Sequence, residues 1–275
     1  MTYCVAMRLN AGLVFLSDSR TNAGMDQIST FRKMSVFEKP GERVLVMLSA
    51  GNLAITQAVK QLLQHEFIEG PDGEPVTIWT AKTLFDVARI LGSAVRKVHA
   101  RDAEALKAHG IDFNCSLIVG GQIKGEAMRL FNVYSAGNFV EAGIDGVCYF
   151  QIGESKYGKP VIDRVVTPVT PLQEAAKCAL ISMDSTLKSN LSVGLPLDLM
   201  VYEANALKVD KLINIDEGNA YFRMIRTSWG QRLRQVFDSI PDPTWHGDQP
   251  DLSTNAASNQ PQAMNPLSKI SAPNG

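Results

Sequence analysis

The stretch of sequence that decides the fold is residues 2–20, TYCVAMRLNAGLVFLSDSR. It holds two runs that are apolar at almost every position, residues 3–7 and 13–16, separated by a segment that ends in Asn10-Ala11-Gly12. Continuous apolar runs are typical of strands covered on both faces, and Asn and Gly favour tight turns. The chain is therefore predicted to begin with a buried hairpin. Chain termini usually fray. A strand that begins at the third residue therefore either simply starts without a leading segment or indicates that the terminus itself has a function.

The rest of the chain alternates between two kinds of apolar segment. Short, almost continuous runs predict further buried strands at residues 44–48, 116–119, 147–152 and 197–202. Segments with a single apolar stripe predict helices at residues 55–62, 84–98, 172–187 and 222–236. Such helices need one surface to lie on, whereas the strands need cover on both faces. We therefore expect an α+β fold, a four-layer αββα sandwich of two mixed, mostly antiparallel sheets with helices outside.

Composition and charge exclude several classes of protein. The 275 residues are 45% hydrophobic, which is ample for a sizeable core, and the formal net charge of -1 lacks the basic footprint of a nucleic-acid binder. The longest uncharged stretch that is rich in apolar residues, residues 44–59, contains polar side chains and is too short to span a bilayer. No secretory signal is recognisable at the start. We expect a cytoplasmic protein that binds neither nucleic acid nor membrane.

Cysteine and histidine spacing gives no sign of a metal site. Cys4, Cys115, Cys148 and Cys178 are widely separated within apolar sequence, which predicts buried, reduced thiols. The four histidines show no ligand spacing, so no metal or other cofactor is expected. From residue 246 to residue 275 the composition changes to Ser, Asn, Gln, Pro and Ala. We therefore predict one folded domain over residues 1–245 and a disordered tail over residues 246–275.

Thr2 is the first candidate for chemistry. If Met1 is removed, Thr2 carries a hydroxyl nucleophile and a free α-amine on one residue. Because the unperturbed pKa of an α-amine is about 7.7–8.0, a neutral fraction exists at cellular pH and can accept the hydroxyl proton. A serine-histidine-aspartate triad is then unnecessary, and the sequence contains no GxSxG motif.

Asp18 and Lys33 are candidates for activating this hydroxyl. The hairpin returns Asp18 to the end of the strand that begins after Thr2, and Lys33 precedes a further predicted strand. An Asp18–Lys33 pair beside Thr2 is therefore sterically plausible. The alternative is that Asp18 caps a turn and Lys33 is a solvated surface lysine.

Several motifs together resemble a known family. TYCVAMRLNAGLVFLSDSRTNAG, ISTFRKM and LSAGN resemble the start of a proteasome-type β subunit, which is an N-terminal nucleophile hydrolase. DSRTNAG, STFRKM, IGESKYGKP and SNLSVGLP more closely resemble the bacterial Anbu group, over residues 2–240. The spacing from Asp18 to Lys33 is one residue shorter than in standard subunits, and a deletion in the loop between residues 24 and 29 would account for it.

The resemblance implies a role for each matching residue. Thr2 is the nucleophile and amine base, Asp18 orients the lysine, and Lys33 is the electrostatic activator. Gly51 matches the glycine whose backbone N–H stabilises the oxyanion. A glycine between a strand and a helix N-terminus also suits this role physically, although it can equally serve only as a sharp turn. Arg20 is expected to pair with a carboxylate or a carbonyl, or to be a plain surface arginine.

The second half of the chain departs from the family pattern. Gly153-Glu154-Ser155 stands where the family has Gly-Ser-Gly, so either Glu154 replaces the supporting hydroxyl or Ser155 supplies it. No aspartate occurs in residues 189–192, where the family has one. The same matching gives a medium, mostly apolar substrate pocket, although Phe31 and Leu53 fit ordinary core packing equally well. Its residues are Thr21, Asn22, Phe31, Ser35, Ser49, Leu53 and Gln57.

The resemblance implies a threonine-type peptidase or amide hydrolase within a homo-oligomeric open ring or spiral. Two alternatives stay open at this point. One is an amidase of the same fold that acts on small amides and not on peptides. The other is a weakly active or inactive scaffold that binds peptides. The sequence identifies no unfoldase partner.

Overall fold

The structure is a computed structural model that describes residues 2–22, 28–143 and 146–243, without the side chains of Asn22 and Ile28. The predicted tail lies outside the described residues, as does most of the loop to which we assigned the deletion. The strands, numbered in chain order, are β1 (Tyr3–Leu9), β2 (Gly12–Asp18), β3 (Arg20–Asn22), β4 (Ile28–Thr30), β5 (Met34–Lys39), β6 (Arg43–Gly51), β7 (Phe67–Glu69), β8 (Pro75–Thr77), β9 (Cys115–Ile123), β10 (Arg129–Val133), β11 (Phe139–Glu141), β12 (Tyr149–Gly153), β13 (Leu197–Glu203) and β14 (Lys211–Ile215).

The described residues also form five helices, and four of them contain the predicted apolar stripes. At the start of the second helix, Thr83 Oγ1 accepts the Asp86 N–H, which satisfies one unpaired donor of the first turn. The third helix is short and was not predicted. The helices are α1 (Leu53–Leu63), α2 (Leu84–Ala108), α3 (Lys159–Val165), α4 (Leu172–Ser189) and α5 (Ala220–Ser239).

Two five-stranded sheets form the centre of the molecule. The first has the strand order β12-β1-β2-β13-β14, and the second has the order β11-β10-β9-β6-β5. Every strand pairing among the described residues is antiparallel. All six predicted strands are confirmed, and the hairpin of β1 and β2 lies in the middle of the first sheet.

The continuous apolar runs are explained by where their side chains point. In β1, Tyr3 and Val5 pack with side chains of α3, α4 and α5, whereas Cys4 and Ala6 pack with residues of the second sheet. Successive side chains of a strand point to opposite faces, so both faces of β1 are buried. On the other side of the second sheet, a separate apolar cluster joins that sheet to α1 and α2.

The chain divides into two compact units at Gly230, inside α5. In the first unit, Phe222 and Ile225 are the buried residues of this helix. From Gln231 the second unit continues the helix to Ser239, and there Arg234 forms an ion pair with Asp238 at 3.0 Å. Among the described residues, no helix is both long and apolar enough to cross a membrane. All four cysteines are buried and carry free thiols, as predicted.

Candidate active site

Thr2 lies at the start of β1 and is held through its backbone. Its carbonyl oxygen accepts the Glu154 N–H at 2.6 Å. The next amide, that of Tyr3, donates to Asp18 Oδ1 at 3.0 Å. Only 9% of Thr2 is exposed, and the residue lines a cleft of about 670 Å³. The hairpin pairing of β1 with β2 therefore places Thr2 at a protected position near Asp18.

Asp18 and Lys33 form a buried ion pair next to Thr2. Lys33 Nζ donates to Asp18 Oδ1 at 2.7 Å and to the carbonyl oxygen of Arg20 at 2.7 Å. The exposed fractions of the two side chains are 0% for Asp18 and 7% for Lys33. The predicted proximity is thus present, and Lys33 is not a solvated surface lysine.

The environment of Asp18 makes its charge depend on its neighbours. Burial raises the pKa of the Asp18 carboxyl above its ordinary value, while the Lys33 ammonium and the N–H groups of Tyr3 and Gly194 oppose that rise. Lys33 therefore stabilises the charged form of the Asp18 carboxyl. Lys33 is the cation that lies closest to this carboxylate among the described residues.

Gly51 lies at the junction where β6 ends and α1 begins. Its φ angle is +113°, and a Cβ atom there would lie 2.4 Å from the carbonyl oxygen of Asn114. The following residue, Asn52, caps the helix because its side chain accepts the Ala54 N–H at 3.0 Å. Gly51 lines the same cleft as Thr2 and Lys33. Only glycine combines this backbone conformation with so close an approach.

The cleft contains part of the predicted substrate pocket. Thr21, Ser49 and Leu53 line it, whereas Phe31, Ser35 and Gln57 do not, and the side chain of Asn22 is not described. Phe31 is 41% exposed, so it does not pack in the core, which was the alternative interpretation of this residue. The lining residues are Thr2, Arg20, Thr21, Arg32, Lys33, Ser49, Ala50, Gly51, Asn52, Leu53, Thr56, Asn114 and Gly153.

Glu154 and Ser155 lie in different surroundings. Glu154 bonds to Thr2 through its backbone N–H, and its Oε2 accepts the Asn190 Nδ2 hydrogen at 3.3 Å. Ser155 lines a separate pocket together with Tyr149, Lys159 and Asp163. Glu154 thus contacts Thr2 through its backbone, and neither Glu154 nor Ser155 lines the cleft that contains Thr2.

Three contributors to the site were not predicted from the sequence. Arg32 and Asn114 line the cleft, and Asn190 bonds to Glu154. Asn190 belongs to the SNLSVGLP motif, which lacks the aspartate of the family pattern and contains this amide in the same segment. Arg20 donates from Nη1 to the Leu191 carbonyl oxygen at 3.0 Å, which is one of its expected pairings.

Solved structures with similar sequences identify the family of this chain. Anbu, the ancestral beta-subunit, from Yersinia bercovieri is 53% identical, with a TM-score of 0.79 over 88% of this chain and 99% of that chain. The chain belongs to the Anbu family. Anbu proteins are proteasome-like, so the resemblance seen in the sequence is confirmed.

Two further Anbu structures agree with this assignment. Anbu from Hyphomicrobium sp. strain MC1 is 47% identical, with a TM-score of 0.78 over 87% of this chain and 98% of that chain. The structure described as a helical assembly of the Anbu complex from Pseudomonas aeruginosa is 46% identical, with a TM-score of 0.80 over 90% and 100% of the two chains. No protein-family model matches this Anbu chain, and no curated protein does.

Proposed function

We propose that this Anbu chain is a threonine-type peptidase or amide hydrolase in which Thr2 becomes the N-terminal residue once Met1 is removed. The observation that carries the proposal is the buried Asp18–Lys33 pair in the same cleft as Thr2. A buried lysine held by a carboxylate is a fixed positive charge, and a fixed charge beside a hydroxyl favours the alkoxide. Membership of a proteasome-like family supports the same conclusion.

In the proposed reaction the free amine of Thr2 accepts the hydroxyl proton, directly or through a water. The hydroxyl oxygen then attacks the amide carbon, and the negative charge that develops on the carbonyl oxygen is stabilised by the Gly51 N–H. As the carbon–nitrogen bond breaks, the leaving amine takes this proton from the protonated amine of Thr2. An ester is left on the Thr2 oxygen. Attack by water on this ester releases the acid and regenerates the hydroxyl.

The proposal includes the surroundings of the site. We infer that residues 1–245 form one hydrolase domain with a four-layer αββα arrangement, because apolar clusters lie between the two sheets and on the outer face of each. We also infer a cytoplasmic location, which the four free thiols support.

The chain is further proposed to act as a homo-oligomer. The structure from Pseudomonas aeruginosa is described as a helical assembly of the Anbu complex, and this chain covers all of that chain at 46% identity. We therefore infer an open ring or spiral of identical subunits. Sedimentation at micromolar concentration should show large species, and a monomer alone would contradict the inference.

The decisive experiment follows the fate of Thr2. The intact mass of active protein should lack Met1, and an uncharged threonine-directed electrophile should form one adduct, mapped to Thr2. The adduct should be absent in Thr2→Ala and present in Thr227→Ala, which removes an exposed hydroxyl of α5. Full hydrolytic activity with Met1 retained would refute the mechanism, and a chain without Met1 that forms no adduct would favour a scaffold.

A further inference from the structure

The cleft around Thr2 has an uneven distribution of charge. Arg20, Arg32 and Lys33 line it, and no Asp or Glu does so among the described residues. A cleft lined by charges of one sign concentrates ligands of the opposite sign. The three cations differ, however, in how much of their hydrogen-bonding capacity is available to a ligand.

Two of the cations are already held by the protein. Lys33 donates to Asp18 and to the Arg20 carbonyl, both at 2.7 Å. Arg20 donates to the Leu191 carbonyl, and its guanidinium packs so closely over Gly194 that a Cβ there would lie 2.1 Å from Arg20 Nε. Protein contacts therefore hold both of these side chains in place.

Arg32 is the cation with free donors. Its side chain is 67% exposed, and its contact among the described residues is an ion pair from Nε to Asp198 Oδ2 at 3.9 Å. At that distance no hydrogen bond forms, so the guanidinium keeps its N–H groups for another acceptor. Arg32 is thus positioned in the cleft without being saturated.

Asp198 explains why Arg32 stays in this place. The Asp198 side chain is only 4% exposed. Its Oδ1 accepts from Asn214 Nδ2 at 3.1 Å, whereas its buried Oδ2 has no hydrogen-bond partner among the described residues. A buried carboxylate requires a compensating charge, and Arg32 supplies it. The ion pair is made by Nε, so both Nη groups are left available.

We propose that Arg32 recognises a carboxylate on the substrate, so that the cleft selects peptides or amides with an acidic side chain next to the bond that Thr2 attacks. A guanidinium binds a carboxylate through two parallel N–H···O bonds, which adds geometric selectivity to the charge. The inference rests on the proposed function, because it assumes that the substrate lies beside Thr2. Arg32 is a specificity residue and takes no part in the bond-breaking step.

The test uses short peptides that end in a threonine-directed electrophile and differ at one position. Probes carrying Asp or Asn have nearly the same shape, so their ratio of adduct rates at Thr2 isolates the charge. We expect Asp to react about tenfold faster or more, because a hydrogen bond to a charged group contributes roughly 1.5–3 kcal/mol. The ratio should shrink as salt is added. Equal rates for Asp and Asn at every position would overturn the inference.

Substitutions at Arg32 assign the preference to this residue. Arg32→Gln should abolish the Asp preference, and Arg32→Glu should make a Lys probe the fastest. Lys124→Glu changes the net charge equally at an exposed turn between β9 and β10, and it should keep the Asp preference. Arg32→Gln leaves Asp198 without its cation. The second variant therefore combines Arg32→Gln with Asp198→Asn, and it should lose the Asp preference as Arg32→Gln does. An Asp preference that survives in both would refute the role of Arg32.

The uncharged electrophile separates this inference from the proposed function. Labelling of wild type and of Lys124→Glu by that reagent shows that the chemistry at Thr2 is intact, whatever the result with the charged probes. If nothing labels Thr2, the proposed function fails, and equilibrium binding of the same peptides without the electrophile decides the inference. Thr2→Ala protein should then bind the Asp peptide about tenfold more tightly than the Asn peptide, and Arg32→Gln should remove the difference.

Discussion

Asp18 Oδ1 accepts hydrogen bonds from both Lys33 Nζ, at 2.7 Å, and the Tyr3 backbone amide, at 3.0 Å. One oxygen atom therefore joins the proposed activator to the residue that follows the proposed nucleophile. Because the peptide bond is rigid, fixing the Tyr3 amide also fixes the carbonyl group of Thr2. The Asp18 carboxylate thus sets the position of the Lys33 charge relative to Thr2.

Removal of the Lys33 charge should slow attack without abolishing it. We expect Lys33→Ala to reduce the rate of adduct formation at Thr2 roughly a hundred- to thousandfold, in line with the loss of about 2.7–4 kcal/mol when one charge-stabilising group is deleted. Lys33→Arg should not restore the rate, because the guanidinium is planar and bulkier than the ammonium and does not fit the same buried position. The rate of adduct formation in Asp18→Asn should lie between those of wild type and Lys33→Ala. The measurement is the rate of adduct formation at fixed pH, and wild-type labelling by Lys33→Ala would refute the assignment of both residues.

The same pair should contribute to stability. Lys33→Met leaves the Asp18 carboxyl buried without its cation, which costs about 3–5 kcal/mol in comparable pairs. The double variant Lys33→Met with Asp18→Asn should lose less unfolding free energy than the sum of the losses in the two single variants, because no charge is then left unpaired. Urea unfolding at one protomer concentration measures these differences. Lys39→Met, which breaks the exposed pair with Glu42, is the control and should change stability by less than about 1 kcal/mol.

Much of the fold could be predicted from the sequence because the decisive signals are local. Both faces of β1 and β2 are buried, so their apolar runs have no alternation and are recognisable in isolation. The short helix α3 could not be predicted, since Ile162 is its one buried residue and no apolar stripe exists. Sequence patterns therefore located many of the elements that build the core, but they missed α3 at the surface and also β10, in which Leu130, Phe131 and Val133 are buried.

The candidate site was predictable where the hairpin fixes distances and not where distant loops meet. Asp18 and Thr2 lie on paired strands, so their proximity follows from a single turn. Asn190 approaches Glu154 from 36 residues away, and Arg32, in the segment between β4 and β5, approaches Asp198 in β13. Contacts of this kind depend on how the layers pack, which no local pattern encodes.

Glu154 and Asn190 pair a carboxylate with an amide. Swapping these two groups between the positions should cost less stability than placing a carboxylate at both. Asn190→Asp places two carboxylates where Nδ2 and Oε2 now lie 3.3 Å apart, so we expect a loss of about 1 kcal/mol or more. Adding Glu154→Gln restores one amide and one carboxylate in the reverse order and should recover most of the loss. Urea unfolding of the three variants measures the effect. Equal stability of Asn190→Asp and the double variant would show that the hydrogen bond has no energetic role.

The four cysteines should resist alkylation in the folded protein. Burial raises the pKa of the Cys178 thiol to about 11 and that of Cys115 to about 12. At pH 8 a thiol with a pKa of 11 is about one thousandth thiolate, and the thiolate is the reactive form. Iodoacetamide at pH 8 should therefore leave the folded chain unmodified and add four groups after denaturation. Rapid modification of Cys4 in the folded state would contradict its burial beside Asp18 and Lys33.

Gly51 should be far less replaceable than Gly41, although both have positive φ angles, +113° and +75°. Alanine at Gly41 meets the backbone strain of the left-handed region, about 1–2 kcal/mol, and at Gly51, whose φ lies farther from that region, the strain is at least as large. At Gly41 the space around a new Cβ is empty to 4 Å, whereas at Gly51 the Cβ would overlap the Asn114 carbonyl oxygen. Gly51→Ala should therefore be the more destabilising change in urea unfolding, by a further 1–3 kcal/mol or so. Because relief of the overlap must move the backbone that lines the cleft, Gly51→Ala should also slow adduct formation at Thr2, while Gly41→Ala should leave it unchanged. Equal effects of the two substitutions on both measurements would show that the close approach at Asn114 places no constraint on the cleft.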